Sequence, residues 1–145
     1  MTSDLTETAR RVVQLDGWTP APGWRGVWGP EHGDGHEPVR VIAEFMNGWR
    51  GFGEESMDVG LFVGLLPDLS DDATLGILAA CARRWQGCDV SVIRTPGGWQ
   101  LIDSVGTAAS HRDGTFAAVL LWGPVCDHPA QCYAFALESA PRGQR

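Results

Sequence analysis

The word Gly-Trp-Arg-Gly occurs twice in this chain, at residues 23–26 and 48–51. Tryptophan supplies a flat stacking face and one N–H donor, and arginine a planar fork that fits a carboxylate or a phosphate. Flanking glycines let a ligand approach the backbone. With seven tryptophans in 145 residues, the repeat marks Trp24, Arg25, Trp49 and Arg50, with Phe52 beside them, as a candidate contact surface. The same residues also fit a structural reading, in which both indoles plug the core and the guanidiniums lie across aromatic faces.

A second group, Cys126, His128 and Cys132, places two thiols and an imidazole within seven residues, a donor set that zinc accepts. No paired Cys knuckle accompanies it, so a fourth ligand would come from His111, Cys88 or Cys81. Without metal, Cys132 reads as core, His128 as a helix cap and Cys126 as incidental. The segment Glu31-His32-Gly33-Asp34-Gly35-His36-Glu37 gathers carboxylates and imidazoles, but its spacing matches no calcium loop or helical zinc pair and suits a polar hairpin tip. For catalysis, His111 beside Asp113 and the hydroxyls of Ser91, Ser104 and Ser110 are the remaining raw material, along with Glu44. No nucleophile elbow, phosphate loop, dinucleotide fingerprint or kinase set surrounds them.

These groups must be positioned by elements that the pattern indicates. A helix with Ser3 or Asp4 as cap, Glu7 completing a capping box, and a stripe of Leu5, Ala9, Val12 and Val13 ends at Gly17. Trp24 to Trp28 and Val39 to Phe45 form a hairpin with a long polar tip, and Met57 to Leu66 suits a central strand. Ser70 caps the next helix, which has Asp71 and Asp72 in its first turn, Arg83 and Arg84 in its last, and Gly87 beyond. Val90 to Arg94 and Trp99 to Asp103 flank Thr95-Pro96-Gly97-Gly98 as a second hairpin. Thr115 to Trp122 reads as a strand, and His128 or Asp127 caps a helix opened by Pro129 that runs to about Ala140. The expected class is α+β, a mostly antiparallel sheet of about five or six strands with two or three helices on one face.

Length and composition fit a single domain over residues 1–145, with 43% hydrophobic and 20% charged residues. A formal net charge of −7 repels a phosphate backbone, which argues against nucleic acid as the main partner. All eleven basic side chains are arginine, so side-chain Schiff-base chemistry is absent and a GC-rich genome is indicated. No apolar run reaches membrane-spanning length and the first ten residues are polar and acidic, so the expectation is a bacterial cytoplasmic protein with four reduced cysteines.

Three stretches carry a resemblance: Leu15-Asp16-Gly17-Trp18 with Pro22-Gly23-Trp24, Leu66-Pro67-Asp68-Leu69-Ser70-Asp71-Asp72-Ala73-Thr74-Leu75-Gly76, and Gly97-Gly98-Trp99. With Ala136 to Pro141, they resemble a group of small uncharacterised tryptophan-rich proteins of bacteriophages and prophages of GC-rich bacteria. The resemblance implies a shared fold and carries no assigned function. Trp122 to Cys132 departs from that group's pattern, being longer and richer in Cys and His.

The leading expectation is a non-catalytic binding protein with a protein partner, of the accessory, inhibitor or immunity type, needing no cofactor. Nucleotide binding between Trp24, Trp49, Arg25 and Arg50 is the alternative, and a small enzyme or a zinc-binding domain is the third class.

Overall fold

The computed structural model describes residues 1–19, 21–103 and 120–141. Helix α1 spans Ser3–Val13 and opens one residue earlier than its pattern suggests, because the Thr2 hydroxyl accepts the Leu5 N–H at 3.3 Å. With Thr2 as cap, the third helical position is Leu5, so Glu7 closes no capping box. Leu5, Thr8, Ala9 and Val12 form the buried stripe, and Thr8 settles its hydroxyl on the Asp4 carbonyl at 2.9 Å.

Five strands follow: β1 (Arg25–Val27), β2 (Val39–Phe45), β3 (Gly48–Gly53), β4 (Val59–Phe62) and β5 (Leu66–Pro67). They form an antiparallel sheet in the order β4-β3-β2-β1-β5. The expected β1–β2 hairpin is present, with Arg25 opposite Arg40. Its tip carries a short 3₁₀ turn over Pro30–His32.

Two features of this sheet differ from the sequence reading. The second Gly-Trp-Arg-Gly, to which the sequence pattern assigned no element, is most of β3, the middle of the β2–β3–β4 run. Its glycines conceal a strand because β propensity is low where the neighbouring backbone comes close. A Cβ on Gly51 would stand 2.6 Å from the Arg40 carbonyl oxygen and 2.8 Å from Val39 Cγ1. In turn, the apolar run from Met57 to Leu66 is not central: it breaks into the edge strand β4 and the short β5. A run apolar on both faces imitates a buried strand whenever one of those faces is left open.

Helix α2 (Asp72–Gln86) begins after Asp71, whose carboxylate accepts the Thr74 N–H at 2.9 Å. The cap is therefore Asp71 and not Ser70, which instead donates to Asp68. Strands β6 (Val90–Thr95), β7 (Gly98–Asp103) and β8 (Leu120–Cys126) make a three-stranded antiparallel sheet in that order. The β6–β7 turn closes with Thr95 opposite Gly98. Gly98 is obligatory there, with φ at 144° and a would-be Cβ 2.4 Å from the Cys126 carbonyl oxygen. The last helix, α3 (Pro129–Glu138), is capped by His128 as expected and packs on β7 and β8. The expected strand from Thr115 lies partly outside the described residues, which resume at Leu120 in β8.

The α+β class with antiparallel pairing is what the sequence indicates. The strands are distributed over two sheets, and the chain divides into two compact units. The first unit holds Met1–Gln14 and Trp18–Ile77, and the second holds Leu15–Gly17 with the described residues from Leu78 onward. The first core is Trp24, Val39, Val41 and Leu65, with Trp28, Trp49, Phe62 and Ile77 packed against it. In the second unit Trp85, Val90, Leu101, Cys132 and Leu137 are fully enclosed. Among the described residues no helix is long and apolar enough to cross a membrane.

Because the Trp24 indole is 1% exposed and meets Trp49 edge-on at 5.3 Å, truncation should open a cavity at the centre of the first core. Trp24→Ala is expected to lose about 3–5 kcal/mol in urea unfolding, whereas Arg50→Ala on the exposed face should change stability by less than about 0.5 kcal/mol. A loss below about 1 kcal/mol for Trp24→Ala would remove that residue from the core.

Candidate functional site

In a strand, successive side chains point to opposite faces, so Trp-Arg-Gly reads in, out, in. Both copies obey this. Trp24 and Gly26 are buried while Arg25 is half-buried, and Gly51 is buried while Arg50 is exposed. Adjacent Trp and Arg therefore cannot share a platform. Trp24 presents no stacking face, and its indole N–H is buried without an acceptor among the described residues. Trp49 is half-buried, packing edge-on against Trp24 on the core side, opposite Phe62 of β4.

The outer face carries the arginines. Cross-strand partners share a face, and the registers set Arg25, Arg40, Phe52 and Val59 in one row and Ala43, Arg50 and Leu61 in the next. Phe45 lies opposite Gly48 in a third row, with Val63 beside it, since a Cβ on Gly48 would meet Val63 Cγ2 at 3.2 Å.

In the first row Arg25 and Arg40 face each other, a like-charge pairing that destabilises a sheet unless it is neutralised. Three carboxylates do this. Glu54 accepts from Arg25 Nε at 3.1 Å and from Arg40 Nη2 at 3.0 Å. Arg25 Nη1 donates to Asp68, and Arg40 forks onto Asp71 at 3.0 and 3.3 Å while also donating to the Gly23 carbonyl at 3.0 Å. Thr74 joins the cluster: its hydroxyl accepts the Arg25 backbone N–H at 2.8 Å and donates to Asp71 at 2.8 Å. Burial pushes the Asp68 and Asp71 carboxyls up. Hydrogen bonds from Ser70 and Arg25 on Asp68, and from Arg40 and Thr74 on Asp71, outweigh burial and hold both below the usual aspartate range. The sequence hides this cluster because each arginine lies 14 to 43 residues from the carboxylates it binds.

Arg50 differs. It is exposed, and among the described residues it makes no hydrogen bond or ion pair. Around it stand Phe45 at 48% exposure and Val59 and Leu61 at 60% each. With Gly60 these residues line an open groove of about 250 Å³. Phe52, half-buried, separates the groove from the paired arginines. The candidate site is thus a guanidinium ringed by exposed apolar side chains. Of the residues singled out in the sequence, it keeps Arg50 and Phe52, while Trp24, Arg25 and Trp49 serve the fold beneath or beside it. Phe45, Val59 and Leu61 were missed: Val59 and Leu61 lay in the apolar run that resembled a central strand, and Phe45 ended the alternating strand of the first hairpin.

The other candidates resolve into local structure. Glu31 of the hairpin tip pairs with Arg10 at 3.0 Å, and that hydrogen bond draws its pKa down to about 2. Glu37 accepts the backbone N–H groups of Glu55 and Ser56 at 3.0 and 2.9 Å, and His32 and His36 pack against Trp28, each at 5.3 Å between ring centroids. His128 Nδ1 accepts the Ala130 N–H at 3.1 Å, while Gln131 Oε1 accepts the His128 N–H, completing a capping box for α3. That nitrogen points into the helix and not toward the neighbouring thiols. Cys132 is fully enclosed, and burial together with its neighbour Cys126 raises its thiol to about 12. Among the described residues no three His, Cys, Asp or Glu side chains converge to hold a metal ion. Cys81 is buried, and Glu44 is exposed opposite Trp49. His111, Asp113, Ser104 and Ser110 lie outside the described residues.

No protein-family model matches the chain, and neither does any curated protein or solved structure.

Two outcomes follow from these environments. The lowered carboxyls of Asp68 and Asp71 bind protons more weakly folded than unfolded, so their contribution is complete above about pH 4 and lost as pH falls through the lower folded values. Replacing Asp68 by Asn should flatten the acid limb of a stability profile, and an unchanged limb would show that the cluster contributes nothing to it. With an aromatic disulfide reagent at neutral pH, Cys126 should react before the enclosed Cys132 and Cys81, and equal rates would contradict their burial.

Proposed function

We propose that this protein is a non-catalytic binding protein that engages another protein through the outer face of β2, β3 and β4, centred on Arg50. The observation that carries this reading is the Arg50 guanidinium, unpaired among the described residues and surrounded by the exposed side chains of Phe45, Val59 and Leu61. Contiguous exposed apolar surface of this kind marks contact sites, and arginine among apolar neighbours is a frequent hot-spot arrangement. The formal net charge of −7 also favours recognition of protein over nucleic acid. A nucleotide cradle built on both Gly-Trp-Arg-Gly words has less support, since Trp24 is enclosed and Arg25 is occupied by Glu54 and Asp68.

The test is capture of partners from lysate of the native host by wild-type protein, compared with Leu61→Glu and Arg50→Glu. Both positions are exposed, so both variants should keep the wild-type circular dichroism spectrum while losing the captured protein by tenfold or more. Capture that survives both changes would move the working surface elsewhere on the molecule.

A further inference from the structure

The edge of the first sheet indicates what form the partner takes, an inference that rests on the protein-binding reading of the outer face. Among the described residues, strand β4 is terminal in its sheet, bonded to β3 along one side only. Gly53 N–H donates to the Asp58 carbonyl at 3.0 Å, and antiparallel ladders alternate. Asp58, Gly60 and Phe62 therefore turn their backbone groups toward β3, whereas Val59 and Leu61 turn theirs toward the open edge. Native edges are commonly guarded by lysine, proline or an inward charge. From residue 59 to 63 this edge reads Val-Gly-Leu-Phe-Val, with Val59 and Leu61 60% exposed and Val63 68%. Among the described residues this edge is unguarded, and free donors and acceptors beside exposed apolar side chains are a template for an added extended chain.

Charge narrows the choice of chain. A strand laid against β4 sends alternate side chains to the outer face, and its residue opposite Leu61 lies two strand spacings from Arg50, about 9.5 Å. An extended arginine and a carboxylate side chain meet across that gap, passing over Leu61, the cross-strand neighbour of Arg50. We infer that the partner presents an extended segment that adds to β4 as a sixth strand, with apolar side chains against Val59 and Val63 and an Asp or Glu opposite Leu61 that Arg50 binds. A second copy of this chain fits the edge less well. Antiparallel pairing of β4 with its twin about Leu61 sets Val59 against the other Val63 but brings Arg50 no carboxylate.

Selection of random linear peptides displayed against the whole protein tests this. Bound peptides should alternate apolar and polar residues and carry an acid at one fixed position. Selection against Arg50→Glu should place a basic residue there, with acid-bearing peptides bound at least about tenfold more weakly. N-methylation of the selected peptide at alternate residues should abolish binding in one phase and be tolerated in the other, and the Val59 and Leu61 amide resonances should shift when the unmodified peptide binds. Peptides that Leu61→Glu blocks but that show no fixed acid, or that ignore N-methylation, would overturn the added strand while leaving the protein-binding face intact. Sedimentation showing self-association that Leu61→Glu removes would assign the edge to a second copy and overturn the inference. If Leu61→Glu blocks no selected peptide and no captured protein, both readings fall together.

Discussion

Two guanidiniums face each other across β1 and β2, and the first unit is organised around making that tolerable. Arg25 and Arg40 are direct cross-strand partners, so the pairing of these strands carries a repulsion that only nearby carboxylates remove. Glu54 comes from the turn after β3, Asp68 from the residue following β5, and Asp71 from the cap of α2. Meeting one local electrostatic demand therefore fixes the positions of three separate segments. Thr74 tightens the arrangement from inside α2 by serving the Arg25 backbone and the Asp71 carboxylate at once. Loss of one carboxylate would leave a half-buried arginine undercompensated, which costs more than the ion pair itself contributes.

The same constraint explains why Arg50 stands apart. Its row on the sheet contains Ala43 and Leu61 in place of a second arginine, and no acid approaches it among the described residues. The two Gly-Trp-Arg-Gly words share one backbone logic, with Trp and the last Gly inward and Arg outward, yet place their arginines in opposite circumstances. One arginine is consumed by the fold and the other is left over. Identical residues in identical local structure diverge because of what distant segments bring beside them, which a single word of sequence does not encode.

Local chemistry was the legible part of this chain. His128 or Asp127 followed by Pro129 announced the start of α3, Thr95-Pro96-Gly97-Gly98 announced the β6–β7 turn, and the charge-complemented ends of α2 announced that helix. The cap of α1 slipped by one residue because Thr2, Ser3 and Asp4 are all competent caps, and tertiary packing of Leu5, Ala9 and Val12 chose among them. Strand β3 was illegible because half of its six residues are glycine, a composition that signals loops until the close approach of Val39 and Arg40 to Gly51 is known. The placement of β4 at the edge was illegible for a different reason. Periodicity reports which faces are apolar, not whether anything covers them. The candidate site fell into that second gap, since its apolar members looked like core and its charged member looked like half of a Trp-Arg pair.

The energetics of the outer face bear on selectivity more than on affinity. Laying apolar surface over Phe45, Val59 and Leu61 releases water at roughly 25 cal/mol per Å² of area covered, and any extended apolar chain obtains that gain. The same act strips water from Arg50, and a charge desolvated without a partner costs several kcal/mol, enough to cancel much of it. A segment carrying a carboxylate at the right place avoids this cost and gains a charge-assisted, two-pronged contact instead. On the proposed reading, the exposed arginine acts chiefly by penalising uncharged apolar strands, so that the residue that would attract an acidic segment would also protect the β4 edge from the rest.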